Sequence, residues 1–211
     1  MKKALFFDLD GTLWDAIIPL TESWNKAMES VNEPFRFNFE SMKSFMGLTP
    51  EETVPLAFKG KNLQEGMKLF NICLHDEIEY LSHNPGKMYP YEEEVLDLLS
   101  KKYPLYIISN CGKGYIENYL NALHMKKYFV DKTCIGDTGL EKWQNILYLK
   151  ERDKIDEIIY IGDTNKDKIE SLKANVRFIH ARYGFGKIKD ETNYIDDLKE
   201  LDDVVTKIFK E

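Results

Sequence analysis

The sequence predicts an α/β fold: a parallel sheet with helices on both faces, and an all-helical segment inserted after the first strand. Three observations carry this. Short, largely apolar runs at residues 4–7, 105–108, 158–161 and 176–180 have the continuous hydrophobic character of strands buried on both sides. Segments of helical period separate the last three runs, and a β-α-β-α alternation leads to a parallel sheet, because a parallel connection needs a helix-long crossover. Between the first run and the second, residues 15–83 show helical periodicity and no convincing strand. The expected division is therefore a Rossmann-like core of residues 1–14 and 84–211, with a helical unit of residues 15–83.

At 211 residues one domain with a substantial insert is the natural size. The apolar fraction of 43% supports a real core, and the net charge of −7 leaves no electrostatic footprint for nucleic acid. Charged residues alternate in sign, as on solvated helix faces. The apolar run after Met1-Lys2-Lys3 is broken by Asp8, too early for a signal-peptide core or a membrane span. Cys73, Cys111 and Cys134 are odd in number and share no metal-like spacing, which fits a reducing cytoplasm.

The elements follow in order. Residues 3–7 form the first strand. Leu20, Trp24, Ala27, Met28 and Val31 then recur at helical spacing, residues 35–50 are less regular, and Met67, Phe70, Leu74, Ile78 and Leu81 mark a long amphipathic helix. Asn84-Pro85-Gly86 carries two strong breakers and reads as the return linker. A helix over 91–102 precedes the strand 105–108, with Pro104 at its start, where proline is tolerated. Ile116, Tyr119, Leu120 and Leu123 share a helix face; a short strand is expected at 132–135 and a helix over 140–152. The strand 158–161, a helix through Leu172 and the strand 176–180 complete the alternation. Leu198, Leu201, Val205 and Ile208 give a last packing helix.

In open parallel sheets, ligands bind outside the carboxyl ends of the strands. Three such ends here carry chemistry: Asp8 and Asp10, Ser109, and Asp163. Asp8 and Asp10 lie two apart, so in a continuing strand both carboxylates lean to one side. Gly11 then allows a sharp turn, having no Cβ to forbid positive φ. Paired acids at a strand end suit a divalent cation with oxygen ligands such as Mg²⁺, and one could attack phosphorus once that charge is neutralised.

With these motifs in order, the chain resembles the haloacid dehalogenase superfamily, in its phosphoglycolate-phosphatase-like branch with a helical cap. D-x-D-G-T matches at Asp8-Leu9-Asp10-Gly11-Thr12, the second-motif hydroxyl at Ser109, and G-D-x-x-x-D at Gly162-Asp163-Thr164-Asn165-Lys166-Asp167. The third motif departs: relatives often carry Lys-Pro, whereas here Lys142 precedes Trp143, with Lys132 and Lys150 as weaker rivals. A second Gly-Asp-Thr, at residues 136–138, reads as a loop, so Asp137 is not assigned to metal.

The resemblance implies a phosphatase. Asp8 is the nucleophile that becomes an aspartyl-phosphate, and Asp10 is the general acid and base. Ser109, Asn110 and Lys142 bind the transferring oxygens. Mg²⁺ is held by Asp8, the Asp10 carbonyl and Asp163, with Asp167 directly or one shell out. An acid at Asp10 favours C–O–P chemistry over dehalogenation, because a halide needs no proton. The 15–83 insert corresponds to a cap whose loop near Ser44, Gly47 and Thr49 contacts substrate, with Trp14 or Asp15 at the hinge. A roofed site implies a small phosphorylated metabolite, no nucleic-acid or membrane partner, and a monomer or homodimer. A phosphomutase that passes the phosphoryl group to a second sugar hydroxyl shares the motifs, and a non-enzymatic phospho-acceptor domain is the remote alternative. Tyr183-Gly184-Phe185-Gly186-Lys187 lacks P-loop spacing and reads as a loop near the site mouth. His75, His83, His124 and His180 read as structural or exposed.

Overall fold

The computed structural model describes residues 1–189 and 193–210. Its elements are β1 (Lys3–Phe7), β2 (Trp14–Asp15), α1 (Ile17–Ser30), α2 (Phe39–Phe45), α3 (Pro50–Ala57), α4 (Leu63–His83), β3 (Lys87–Met88), α5 (Glu92–Ser100), β4 (Leu105–Ser109) and α6 (Tyr115–Ala122). After these come β5 (Asp131–Cys134), α7 (Ile135–Thr138), α8 (Lys142–Arg152), β6 (Glu157–Gly162), α9 (Asn165–Lys173), β7 (Arg177–Ala181), β8 (Tyr194–Ile195) and α10 (Leu201–Ile208).

Six strands form one parallel sheet in the order β5-β4-β1-β6-β7-β8. The first strand is central, hydrogen-bonded to β4 on one side and β6 on the other. Its side chains alternate between two cores, as a pleated strand requires. Leu5 and Phe7 join Ile107, Ile159 and the faces of α5, α6 and α10, while Ala4 and Phe6 join Tyr106, Ile158, Tyr160 and the Ile146/Leu149 face of α8. All five residues from Ala4 to Asp8 are buried, so the carboxyl end of β1 is held from both sides.

The segment between β2 and β3 is helical, with α1 lying against α4 and α2 and α3 closing the group. The irregular stretch of residues 35–50 contains the helix α2, which Asn38 starts by accepting from Ser41 N–H while Ser41 Oγ accepts from Asn38 N–H, a reciprocal cap. Trp24 is the hub of this group: Phe45 and Phe58 stack on its ring and Phe37 and Phe70 meet it edge-on. The chain enters at Trp14–Asp15 and leaves at Lys87–Met88, and these two pairs of residues form a short antiparallel ribbon. Two residues carry no periodicity, so neither this ribbon nor the two-residue edge strand β8 is visible in the sequence. Among the described residues, no helix is long and apolar enough to cross a membrane.

Candidate active site

The turn after β1 is wound around one carbonyl. Thr12, Leu13 and Trp14 all donate their N–H groups to Leu9 O, and Gly11 adopts φ +81°. A Cβ at Gly11 would fall 2.2 Å from Asp163 Oδ2, so this position needs glycine both for its conformation and for the approach of a second loop. Asp8 N–H continues the ladder to Ile161 O at 2.8 Å, which holds Asp8 beside the end of β6.

Four side chains of the predicted set meet there. Lys142 Nζ lies 2.8 Å from Asp8 Oδ1 and 2.5 Å from Asp167 Oδ1, and all three residues are buried. Carboxylate oxygens of Asp8, Asp163 and Asp167 all lie within 4.8 Å of one another. Burial pushes the Asp8 carboxyl up to about 7, the Asp167 charge adds to this, and Lys142 opposes it. Burial, then Asp167 and Asp8, also drive Asp163 well above the ordinary carboxylate range. Burial alone would favour a neutral Lys142, but Asp167 and Asp8 outweigh it and hold the ammonium charged.

One lysine does not saturate this group. Asp163 Oδ2 accepts from Phe185 N–H at 2.7 Å and Gly186 N–H at 3.2 Å, whereas its Oδ1 is buried with no partner among the described residues. An orphaned buried carboxylate oxygen facing two other acids fits an oxygen-liganded divalent cation. Asp167 is more committed: Oδ1 takes Lys142, and Oδ2 accepts from Thr164 N–H and Oγ1 at 3.0 and 2.6 Å.

The departure at the third motif has a local explanation. Lys142 opens α8, and Glu141 N–H donates to Gln144 Oε1 at 2.9 Å. Trp143, where relatives often carry proline, has an N–H that donates to Glu170 Oε2 at 3.1 Å, so the exposed donor of a first helical turn is satisfied without proline. The rival Lys132 pairs instead with Glu117 and Asp137. That engages Asp137 away from the acid group, on the single turn α7 instead of a loop.

Asp10 stands apart from the lysine. Its Oδ1 accepts from Tyr115 OH at 2.8 Å, and burial pushes its carboxyl up to about 7 against the pull of that bond. With Ser109 and Asn110 it lines a cavity of about 270 Å³ between the strand ends and the helical unit. Gly47 lines it too, and its carbonyl accepts from Asn110 Nδ2 at 2.9 Å. Thr49 is not among the lining residues; its N–H donates to Glu52 Oε2 and its carbonyl accepts from Thr53 Oγ1 at the start of α3. Trp14 is buried against Tyr115 and Tyr119, and Asp15 accepts from Ile17 N–H.

Motif spacing does not single out Tyr115, whose hydroxyl reaches Asp10. The loop 183–187 was placed at the site mouth, yet its backbone grips Asp163, and a Cβ at Gly184 would lie 2.3 Å from Gly11 O and 2.4 Å from Asp163 Cβ. The alternating glycines of that loop were the available signal, since close backbone approach requires them. His180, read as structural, lies 3.1 Å by Nε2 from Asp163 O.

Comparison with known proteins agrees with this architecture. A protein named phosphoglycolate phosphatase from Vibrio parahaemolyticus is 26% identical over 220 residues, spanning 96% of each chain. One named phosphorylated carbohydrates phosphatase from Thermotoga maritima is 24% identical over 182 residues, spanning 82% of this chain and 81% of the other. The structure of a haloacid dehalogenase-like family hydrolase from Streptococcus pneumoniae superposes with a TM-score of 0.81 at 19% identity, over 97% of this chain and 98% of that one. The family described as haloacid dehalogenase-like hydrolase matches residues 5–181; with the match covering most of the chain, this protein belongs to the haloacid dehalogenase-like hydrolases and is an enzyme.

Proposed function

We propose that the protein is a Mg²⁺-dependent phosphatase that hydrolyses a small phosphate monoester through an aspartyl-phosphate on Asp8. The observation that carries this is the single buried lysine bridging Asp8 and Asp167 beside Asp163 with its unpartnered oxygen. Such a site balances one charge and leaves the rest for a cation and a phosphoryl group. Asp8, Asp163 and the Asp10 carbonyl would hold the cation, with Asp167 close by. When bound, the cation supplies charge neutralisation for the approach of a phosphate dianion.

The chain's own residues do the rest. An Asp8 carboxylate oxygen attacks phosphorus, and the bond from phosphorus to the ester oxygen breaks. Asp10 gives its proton to the departing alkoxide. Water then attacks the acyl-phosphate and yields its proton to Asp10, and the bond from phosphorus to the Asp8 oxygen breaks to release phosphate. Tyr115 OH fixes the Asp10 carboxyl, and a carboxyl held near 7 suits a group that must give and then take a proton at neutral pH. Ser109 and Lys142 bind the transferring oxygens, where positioning and charge carry most of the rate.

Residues 15–83 act in this reading as a cap that excludes water. Two contacts from them to the core support it: Asn110 to Gly47 O and Lys166 to Glu52. The relatives' names, phosphoglycolate phosphatase and phosphorylated carbohydrates phosphatase, support the reaction class.

The test is phosphate release from p-nitrophenyl phosphate with Mg²⁺, in wild type, Asp8→Asn and Asp10→Asn. Turnover lost in both variants is expected. Activity surviving Asp8→Asn would overturn the nucleophile, and stimulation by a bisphosphorylated sugar with little free phosphate would point to a mutase.

A further inference from the structure

The cavity is larger than a phosphoryl group needs. Its about 270 Å³ is many times the roughly 10–15 Å³ that a single water requires, which leaves room for an alcohol of several non-hydrogen atoms. The helical unit supplies apolar walls, including Met42, Phe45, Leu48, Phe70 and Leu74. The charged groups among the lining residues are all acids: Asp10, Glu51 and Glu77; no lysine, arginine or histidine is among them.

Glu77 is the unexplained member. It sits inside α4, only 3% exposed, and hydrolysis does not require it. Its Oε2 accepts from Trp24 Nε1 at 2.7 Å, and no donor reaches Oε1 among the described residues. Oε1 is open to the cavity that Glu77 lines, within reach of whatever fills it. Burial pushes its pKa up to about 8, and the nearby Asp10 charge adds to this, so the empty pocket resists a second negative charge. A leaving group with its own carboxylate, as in phosphoglycolate, would meet Asp10 and Glu77 in an apolar surround with no cation to pair with.

Resting on the phosphatase reading, we infer that the substrate is the phosphate ester of an amino alcohol: an apolar carbon chain lies along the cavity and its ammonium group pairs with Glu77. An ammonium supplies hydrogen bonds to Oε1 and the charge that lets a buried carboxylate ionise. A hydroxyl would supply only the donor.

The experiment compares kcat/KM for ω-aminoalkyl, ω-hydroxyalkyl and ω-carboxyalkyl phosphates of two to six carbons. It is run in wild type and in Glu77→Gln, which keeps an acceptor for Trp24, with each rate referred to that protein's own rate on p-nitrophenyl phosphate. The expected result is a preference of at least about tenfold for the amine over its carboxylate and hydroxyl counterparts. In Glu77→Gln that preference should collapse through a higher KM for the amine ester. Equal use of the three series, a preference for the carboxylate, or an amine preference that survives Glu77→Gln would overturn the inference while the phosphatase reading stands. Failure to hydrolyse any ester, p-nitrophenyl phosphate included, would overturn both.

Discussion

Lys142 Nζ lies 2.8 Å from Oδ1 of Asp8 across 134 positions of sequence, and 2.5 Å from Oδ1 of Asp167. The lysine, carried on the first turn of α8, therefore neutralises one acid at the end of β1 and another in the first turn of α9. Three buried carboxylates could not otherwise share this space at neutral pH.

Lys142→Met keeps the volume of the side chain and removes the charge. Leaving two buried acids unpaired is expected to cost about 3–5 kcal/mol of stability, and loss of a donor to the transferring oxygens about 10²-fold or more in kcat. Urea melts and phosphate release measure the two effects. A variant as stable and as fast as wild type would show that the bridge is incidental.

The orphaned Asp163 Oδ1 makes the metal testable without turnover. Adding Mg²⁺ to chelated protein should raise the melting temperature, because a ligand of the folded state stabilises it by mass action, about 2.7 kcal/mol at a hundredfold excess over Kd. Gly184→Ala pushes a methyl group into the Asp163 side chain and the Gly11 carbonyl and should weaken Mg²⁺ binding about 10- to 100-fold, as changes to the groups that hold a ligand do. An unchanged Mg²⁺ titration in that variant would remove the loop from the site.

Tyr115→Phe deletes one hydroxyl and keeps the ring against Trp14, whose centroid lies 5.2 Å away. With Asp10 no longer held, kcat should fall on the order of tenfold or more while KM changes little, since proton transfer is lost and binding is not. Steady-state kinetics on p-nitrophenyl phosphate decide it; a change in KM alone would mean that Tyr115 shapes the pocket and does not position Asp10.

Glu92 lies outside the acid group and gives a pH dependence of stability. Its Oε1 accepts from Tyr119 OH at 2.5 Å, and burial raises its pKa from 4.5 to about 8. Between those values the folded chain keeps a proton that the unfolded chain has released. Stability contributed there is whole below about pH 4.5, falls as pH rises, and is gone above about 8, a loss on the order of a few kcal/mol. Glu92→Gln should flatten that slope in denaturant melts between pH 5 and 8. Parallel slopes in the two proteins would place the titration elsewhere.

The legible parts of this protein are those encoded locally. Short apolar runs mark β1, β4, β6 and β7, because a strand buried on both faces has no polar side to obscure it. The 3.6-residue period marked α1 and α4, and the motif spacing singled out Asp8, Asp10, Ser109, Asp163 and Asp167. Lys142 was chosen over Lys132 and Lys150 by order along the chain, a rule about topology that sequence can express.

What remained hidden depends on distances through space. Nothing in residues 115–122 distinguishes a tyrosine that packs from one whose hydroxyl reaches Asp10, and Glu77 looks like any acid of an amphipathic helix until Trp24 and the cavity surround it. Thr49 had the right neighbourhood for a substrate contact, and a local helix start claimed it instead. The sheet, the helical insert and the candidate site side chains are readable in the sequence, because hydrophobic period and motif order are properties of the chain. Packing in three dimensions sets which oxygens are satisfied, which are left without a partner, and what lines the pocket. Those depend on desolvation and on a few ångströms of separation between residues distant in sequence.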